Sequence, residues 1–429
     1  MESRRQFLKK LGAGTAFMGA STIFSPLKAK DITKDLKTYS GSTQIIAKNE
    51  NYWSHIQQAF PVDRSLVNLN NGGVSPSPAF VQEAMKKHLD YSNKAPVYTM
   101  WRILQPQREG VRKQLANTLG VDSEEIAITR NASESLQICQ FGFDLEPGDE
   151  VLTTDQDYPR MITTFKQRER REGIKLKQFS IPVPAEDDAE IVRLFEENIT
   201  PKTKLILMCH MINITGQILP VKKVVNMARK YDIPVIVDGA HSFAHFDYNY
   251  DDLQCDYYTS SLHKWLFAPF GTGLLYVKKN KIDGLWPLMA AEESQNDDIR
   301  KFEEIGTHPA ANYLAIAEAL TFHEGIGPKR KEARLKYLND LWIDELLAYD
   351  RVKLHTSRNP NYACGIATVQ IQGIEPSDLT SRLWNKHRII VTPIVHPQFE
   401  GIRVTPNVYT TLSEIERFTE AMRYEILNG

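Results

Sequence analysis

Between residues 120 and 277, short β-rich runs alternate with stretches of helical texture, and this rhythm constrains the fold more than any other feature of the chain. Glu125–Thr129, Glu150–Thr154, Leu176–Ile181, Lys204–Cys209, Pro234–Val237, Tyr257–Ser260 and Gly273–Val277 read as strands. Ser133–Phe143, Arg160–Glu172, Asp188–Asn198 and Val221–Tyr231 read as helices between them. Leu205-Ile206-Leu207-Met208 and Val235-Ile236-Val237 are apolar without interruption, as in strands buried on both faces. The alternation implies parallel pairing in an α/β layer architecture, where ligands collect at the carboxyl ends of strands. After about residue 310 the texture changes. Helices over Asn312–Glu324 and Lys329–Ala348, strands over Ile366–Ile371 and Arg388–Val391, and a closing helix from Leu412 predict a smaller α+β unit. A chain of 429 residues exceeds one ordinary domain. The expected division is 1–30, 31–60 as linker and opening helix, a large domain over 61–310, and a small one over 311–429 helped by the N-terminal segment.

The charge balance excludes some function classes. A formal net charge of −1, with 42% apolar and 24% charged residues, fits a globular protein and gives no electrostatic footprint for nucleic acid. Residues 1–30 stand apart: six Lys/Arg against one acid make them +5 and leave −6 for the remainder. Ser3-Arg4-Arg5-Gln6-Phe7-Leu8-Lys9 followed by the Gly/Ala-rich stretch Leu11–Phe24 resembles a twin-arginine export signal. That implies the twin-arginine export machinery as a partner and a periplasmic destination. The stretch is too short and too weakly apolar for a comfortable membrane span. Leu27-Lys28-Ala29 is a poor cleavage site, so retention of the signal stays open. The four cysteines, Cys139, Cys209, Cys255 and Cys364, form no CxxC and no disulfide framework. No His/Asp/Glu set has convincing ligand spacing, so no metal is expected.

Three pieces carry chemistry. Lys264, in Ser261-Leu262-His263-Lys264-Trp265, lies just past an apolar strand. Burial lowers a lysine's pKa by penalising its charged form, and a neutral amine attacks an aldehyde to form a Schiff base; a lone lysine is more often simply solvated. Asp238 ends the strand of Val235-Ile236-Val237-Asp238-Gly239-Ala240-His241. A carboxylate there can keep a pyridine nitrogen protonated, which makes the ring an electron sink; a cap or a metal ligand is the alternative. Thr129-Arg130-Asn131-Ala132-Ser133-Glu134-Ser135 follows one strand and opens a helix, whose unpaired N–H groups suit a phosphate or merely take a serine cap. The order of the three along one α/β domain is more informative than any of them alone.

With Val-Asp-Gly-Ala-His at 237–241 and Ser-x-His-Lys at 261–264, the chain resembles the class V aminotransferase family of fold-type I pyridoxal-phosphate (PLP) enzymes over roughly residues 60–425. That family includes cysteine desulfurases, selenocysteine lyases, kynureninases and isopenicillin-N epimerase-like proteins. The resemblance implies a PLP-transferase fold: a large α/β domain with a mainly parallel sheet covered by helices, and a smaller α+β domain. It implies pyridoxal 5′-phosphate as cofactor, with Lys264 as the Schiff-base lysine and proton shuttle. Asp238 would pair with the pyridine nitrogen and His241 would lie near the phenolic oxygen. Ala132, Ser133, Ser261 and His263 would bind phosphate, Tyr158 would stack on the ring, and Asn213 would contact the cofactor or substrate. Gly306-Thr307 resembles the pair that reaches a neighbouring subunit's phosphate, so Thr307 implies a homodimer with shared active sites. Arg403 matches the arginine that grips the carboxylate of a small amino-acid-like substrate, and a guanidinium does so through two parallel hydrogen bonds. Asn71 sits in the family's substrate-side loop or in a plain turn. Tyr98, Trp101 and Arg102 form an aromatic-basic cluster that could shape the pocket.

The reaction is less constrained. Loss of the α-proton to Lys264 can lead to epimerisation, transamination or elimination of a side-chain group. Desulfurases of this family carry a nucleophilic cysteine on a loop shortly before the carboxylate-binding arginine. No cysteine lies between Gly365 and Arg403, and Cys364 stands at the start of an expected strand. Asp-Tyr-Pro at 157–159 and Arg-Val-Thr-Pro at 403–406 bring the chain nearest to isopenicillin-N epimerase-like members. The alternatives are a C–S lyase or cysteine desulfurase, an aminotransferase, and a non-catalytic exported binding protein.

Overall fold

The structure, a computed structural model, describes residues 32–429 apart from Asp35; the segment read as an export signal lies outside the described residues. A two-residue strand, β1 (Val67–Asn68), precedes the seven strands of the central sheet. These are β2 (Ile126–Thr129), β3 (Glu150–Thr154), β4 (Lys175–Phe179), β5 (Thr203–Cys209), β6 (Val235–Asp238), β7 (Tyr257–Ser261) and β8 (Gly273–Val277), in the spatial order β2-β8-β7-β6-β5-β3-β4. Pairing is parallel from β4 through β7, while β8 runs antiparallel to both neighbours. The reason is the connection: residues 262–272 carry no helix, and a parallel return needs a crossover of a dozen or more residues.

The uninterrupted apolar strands are buried on both faces. Ile206 and Met208 of β5 point into one core, shared with Val235 and Val237 of β6. Leu205 and Leu207 point into the other, shared with Ile236. Helices α1 (Ala132–Gly142) and α2 (Pro159–Glu172) cover the second face through Leu136, Cys139, Met161 and Phe165. Helices α3 (Asp188–Glu197) and α4 (Val221–Ala228) cover the first through Ile191, Phe195, Val221 and Val224. Burying a Leu, Ile or Phe is worth about 1.5–3 kcal/mol each, so a one-residue slip of β5 would exchange its two faces at considerable cost.

The expected helix over Asn312–Glu324 is two, Ala310–Leu314 and Ile316–Ile326, and their apolar side chains join the large core. Packing changes hands inside the long helix α5 (Pro328–Leu346): Leu335 faces the large core, whereas Leu338 and Trp342 face a smaller one. That smaller core is closed by an antiparallel sheet of order β12-β13-β10-β9, comprising β9 (Val352–Leu354), β10 (Ala367–Ile371), β12 (Thr392–His396) and β13 (Phe399–Val404). Strand β11 (Ile389–Ile390) pairs in parallel with β1 and so ties the N-terminal side of the chain to the C-terminal unit. No helix among the described residues is long and apolar enough to cross a membrane.

Candidate active site

The carboxyl ends of β5, β6 and β7 and the start of α1 enclose a cleft with about 200 Å³ of interior space. Its lining includes Ala132, Ser133, Tyr158, Asn213, Asp238, Ala240, His241, Ser261, His263 and Lys264, all but Ala240 singled out in the sequence. Lys264 follows β7 and places its Nζ 3.0 Å from His241 Nε2. Burial, with the Arg403 charge adding to it and Asp238 opposing it, pushes the Lys264 amine down to about 8. At pH 7 roughly a tenth of it is then neutral, about 300-fold more than for an ordinary lysine. Burial and the charges of Lys264 and Arg403 hold His241 well below its ordinary value, so this imidazole is neutral beside the amine.

Asp238 ends β6 with its carboxylate buried, and burial raises its pKa to about 6. Its Oδ1 accepts the Ala240 N–H at 2.9 Å, which leaves Oδ2 for a donor from the cleft. A cationic N–H there would restore the ionised form. At the other end, Asn131 caps α1 by accepting the Glu134 N–H at 2.8 Å, and Ser261 Oγ accepts the Ala132 N–H at 2.9 Å. These bonds hold the helix start, with its positive dipole end, beside Ser133 and His263. Tyr158 stands at the N-terminal end of α2, makes no side-chain cap and is 43% exposed. The preceding Asp157 is buried and accepts from Thr153 Oγ1, Thr154 N and Thr154 Oγ1 at 2.9, 3.0 and 2.6 Å; those bonds fix the turn that presents the phenol to the cleft.

Arg403 comes from β13. Its Nη1 donates to the Asn213 carbonyl at 3.1 Å and its Nη2 to Asn70 Oδ1 at 2.9 Å, while Nε has no protein partner among the described residues. Burial pushes its pKa down to about 10. Gly72 stands between Arg403 and His241: a Cβ there would be in ordinary contact with both, 3.5 Å from His241 Cε1 and 3.6 Å from Arg403 Cζ, and tight only against Thr405 Cγ2 at 3.2 Å.

Asn71, Thr307 and Arg403 are not among the residues that line this cleft, and of these Thr307 was expected to serve a second copy's site. Asn71 is fully buried, with its Nδ2 donating to the carbonyls of Asn68 and Thr405 at 3.0 and 2.9 Å and its Oδ1 accepting from Tyr409 at 2.6 Å. Its amide is used up by the fold, and its neighbour Asn70 is the one that reaches the arginine. Thr307 is exposed and does not line this chain's cleft. The same holds of Tyr98, Trp101 and Arg102. His241 and His245 are spaced four apart, which on a helix would aim both rings at one ion. Here they lie on a turn, and both His245 nitrogens are engaged by backbone groups. The sequence reading passed over Asn70 and gave Asp157 no role of its own. The Asn-Asn-Gly-Gly run at 70–73 marked the loop, but only packing tells the two asparagines apart.

Residues 67–417 match the profile of the family described as aminotransferase class-V. The chain belongs to that family. It is 28% identical over 389 residues to the isopenicillin N epimerase of Streptomyces clavuligerus, covering 86% of this chain and 97% of that one. It is 23% identical over 383 residues to the cysteine desulfurase of Haloferax volcanii, covering 83% and 88%. A solved structure of a lysine-to-alanine C-DES variant, with glycine covalently linked to its PLP cofactor, superposes with a TM-score of 0.76 at 23% identity over 85% of this chain and 98% of that one. The cofactor of this class V enzyme is pyridoxal 5′-phosphate. The residues fit it: a helix start beside Ser133, Ser261 and His263 for the phosphate, Asp238 for the ring nitrogen, and a buried amine of lowered pKa for the aldehyde carbon. The Nδ1 atoms of His241 and His263 and the Asn213 Oδ1 are buried without protein partners among the described residues, as polar atoms awaiting a ligand would be.

Proposed function

We propose that this class V enzyme acts at the α-carbon of a small amino-acid-like substrate whose carboxylate Arg403 holds, with epimerisation as the reaction. PLP supplies an electron sink that acidifies the substrate's Cα–H. Lys264 Nζ takes the α-proton from one face, and inversion is completed by a solvent-derived proton returned to the opposite face of Cα; the neutral His241 Nε2, 3.0 Å from the amine, keeps it oriented. Asn70 and the Asn213 carbonyl aim the guanidinium.

The state of the cysteines argues against the desulfurase alternative, and the 28% identity to an isopenicillin N epimerase favours epimerisation among the rest. All four cysteines are buried, at 0–3% exposure. Only Cys209 lines the cleft, and burial with the nearby Asp157 and Asp238 charges holds its thiol well above 9. A desulfurase nucleophile must reach the substrate as a thiolate, and no cysteine here is in a position to do so. The test is turnover in D₂O with single enantiomers of a panel of amino acids. Inversion of configuration with deuterium at Cα supports epimerisation. Release of sulfide or pyruvate, or amino transfer to a keto acid, would replace it with lyase or transaminase chemistry, and no turnover of any substrate favours a binding role.

The same reading includes a homodimer in which Thr307 reaches the second copy's site, and residues 1–30 as a twin-arginine export signal to the periplasm; the expected boundaries at 60 and 310 give way to a change of core within Pro328–Leu346, because the buried apolar side chains of residues 36–60 and 310–335 pack into the large core. A reporter fused to residues 1–30 should be exported, and replacing Arg4 and Arg5 by Lys should abolish that.

A further inference from the structure

His245 lies one layer behind the cleft, and neither the cofactor nor the substrate needs it directly. It is fully buried, and the residue before it, Ala244, takes a left-handed φ of 59°, a conformation rarely seen outside glycine. Strain of this kind persists only where the surroundings enforce it. The Gly365 N–H donates to His245 Nε2 at 2.9 Å. A backbone N–H can only donate, so Nε2 carries no proton and the ring is the neutral Nδ1–H tautomer. That proton is given to the His241 carbonyl at 2.7 Å. The ring face stacks on Trp265, with centroids 3.5 Å apart and planes 13° from parallel. Trp265 is the residue after Lys264, and its carbonyl is held from behind by the buried Lys331 amine. One imidazole therefore touches the backbone of His241, the neighbour of Lys264, and Gly365 at the approach to β10 of the small unit.

We propose that His245 is a positioning residue: its Nδ1–H tautomer fixes the Lys264–His241 pair and registers it to the small unit through Gly365. This rests on Lys264 being the lysine that takes the cofactor. Gly365 is the point from which the idea can be tested without touching His245. A Cβ at this position would lie 2.7 Å from His245 Nε2, closer than its 3.2 and 3.3 Å approaches to Leu335, so Gly365→Ala breaks the Gly365–His245 contact by shifting the ring or the backbone at 365.

The experiment measures the rate at which cofactor-free protein captures PLP at pH 7, together with ¹⁵N NMR of the histidines in the full chain. Gly365→Ala and His245→Ala should each slow capture by about tenfold, because a displacement well under 1 Å already degrades the approach geometry. In the His245→Ala background, Gly365→Ala should slow capture by less than about threefold, since the closest clash is gone and only the 3.2 and 3.3 Å approaches to Leu335 remain. Equal slowing in both backgrounds, or no slowing in wild type, overturns the proposal. The NMR tests the premise whether or not a variant folds: the proposal requires an Nδ1–H ring that does not titrate between pH 5 and 9, and an Nε2–H or titrating ring refutes it; the positioning role itself is read from the pH profile of PLP capture, whose shape should change in the His245→Ala variant. Wild-type protein that captures no PLP would instead remove the role of Lys264, and the tautomer measurement would still judge His245.

Discussion

Replacing Arg403 by lysine should raise KM for the amino-acid substrate with little change in kcat. Arginine has five N–H donors. Two are committed, to the Asn213 carbonyl and to Asn70 Oδ1, and three remain, enough to grip a carboxylate through two of them. A lysine holding the same two anchors has one donor left, so one charge-assisted bond is lost, worth about 1.5–3 kcal/mol. That is roughly 10- to 150-fold in KM. The anchored guanidinium binds ground state and transition state alike, which is why the loss falls on KM. The assay is steady-state kinetics with an amino acid and with the corresponding amine lacking the carboxylate. The amine should be indifferent to the substitution. Equal losses for both compounds, or an unchanged KM for the amino acid, would refute the carboxylate role.

Asn70→Ala should cost about 1 kcal/mol, near fivefold in KM, and leave the urea midpoint unchanged. Asn71→Ala should do the reverse, lowering stability by about 1–3 kcal/mol because Asn68, Thr405 and Tyr409 lose their partner. The rate of PLP capture should rise with pH and level off above about 8, since the neutral amine is the reactive form and burial lowers its pKa; a rate still climbing at pH 10 would show an ordinary lysine. Glu303 accepts from Arg112 at 2.6 and 3.0 Å, from Arg108 at 2.9 Å and from the Ile128 N–H at 2.6 Å. Glu303→Ala, which leaves two buried guanidinium groups without it, should therefore cost about 3–5 kcal/mol in urea unfolding.

The central sheet was legible because its strands are short, apolar and separated by well-punctuated helices; observed ends differ by a residue or two from the expected ones. The antiparallel sense of β8 was not drawn from the sequence, although the helix-free link at 262–272 contained it. The small unit was harder. Strand β9 has no buried residue, β12 has one, and β13, though almost wholly buried, sets Glu400, Gly401 and Arg403 among its apolar residues, so none carries an uninterrupted apolar run and Arg403 was found by its motif and not by its strand. The cleft residues at strand ends and on the first turn of α1 were legible because position on an α/β sheet restricts where ligands go. Asn70 and His245 were not, since each acts through a partner 120 or more residues away: Arg403 for the one, Gly365 for the other.

The most direct test is to locate the covalent attachment of the cofactor. PLP-loaded protein is reduced with borohydride and digested, and the pyridoxyl group is mapped by mass spectrometry, beside the Lys264→Ala variant. The label should appear on the Lys264 peptide alone, and the variant should lack the visible absorption that borohydride removes from wild type. A pyridoxyl group on another lysine, or wild-type protein that stays colourless with PLP, would contradict the assignment of Lys264 and the site built around it.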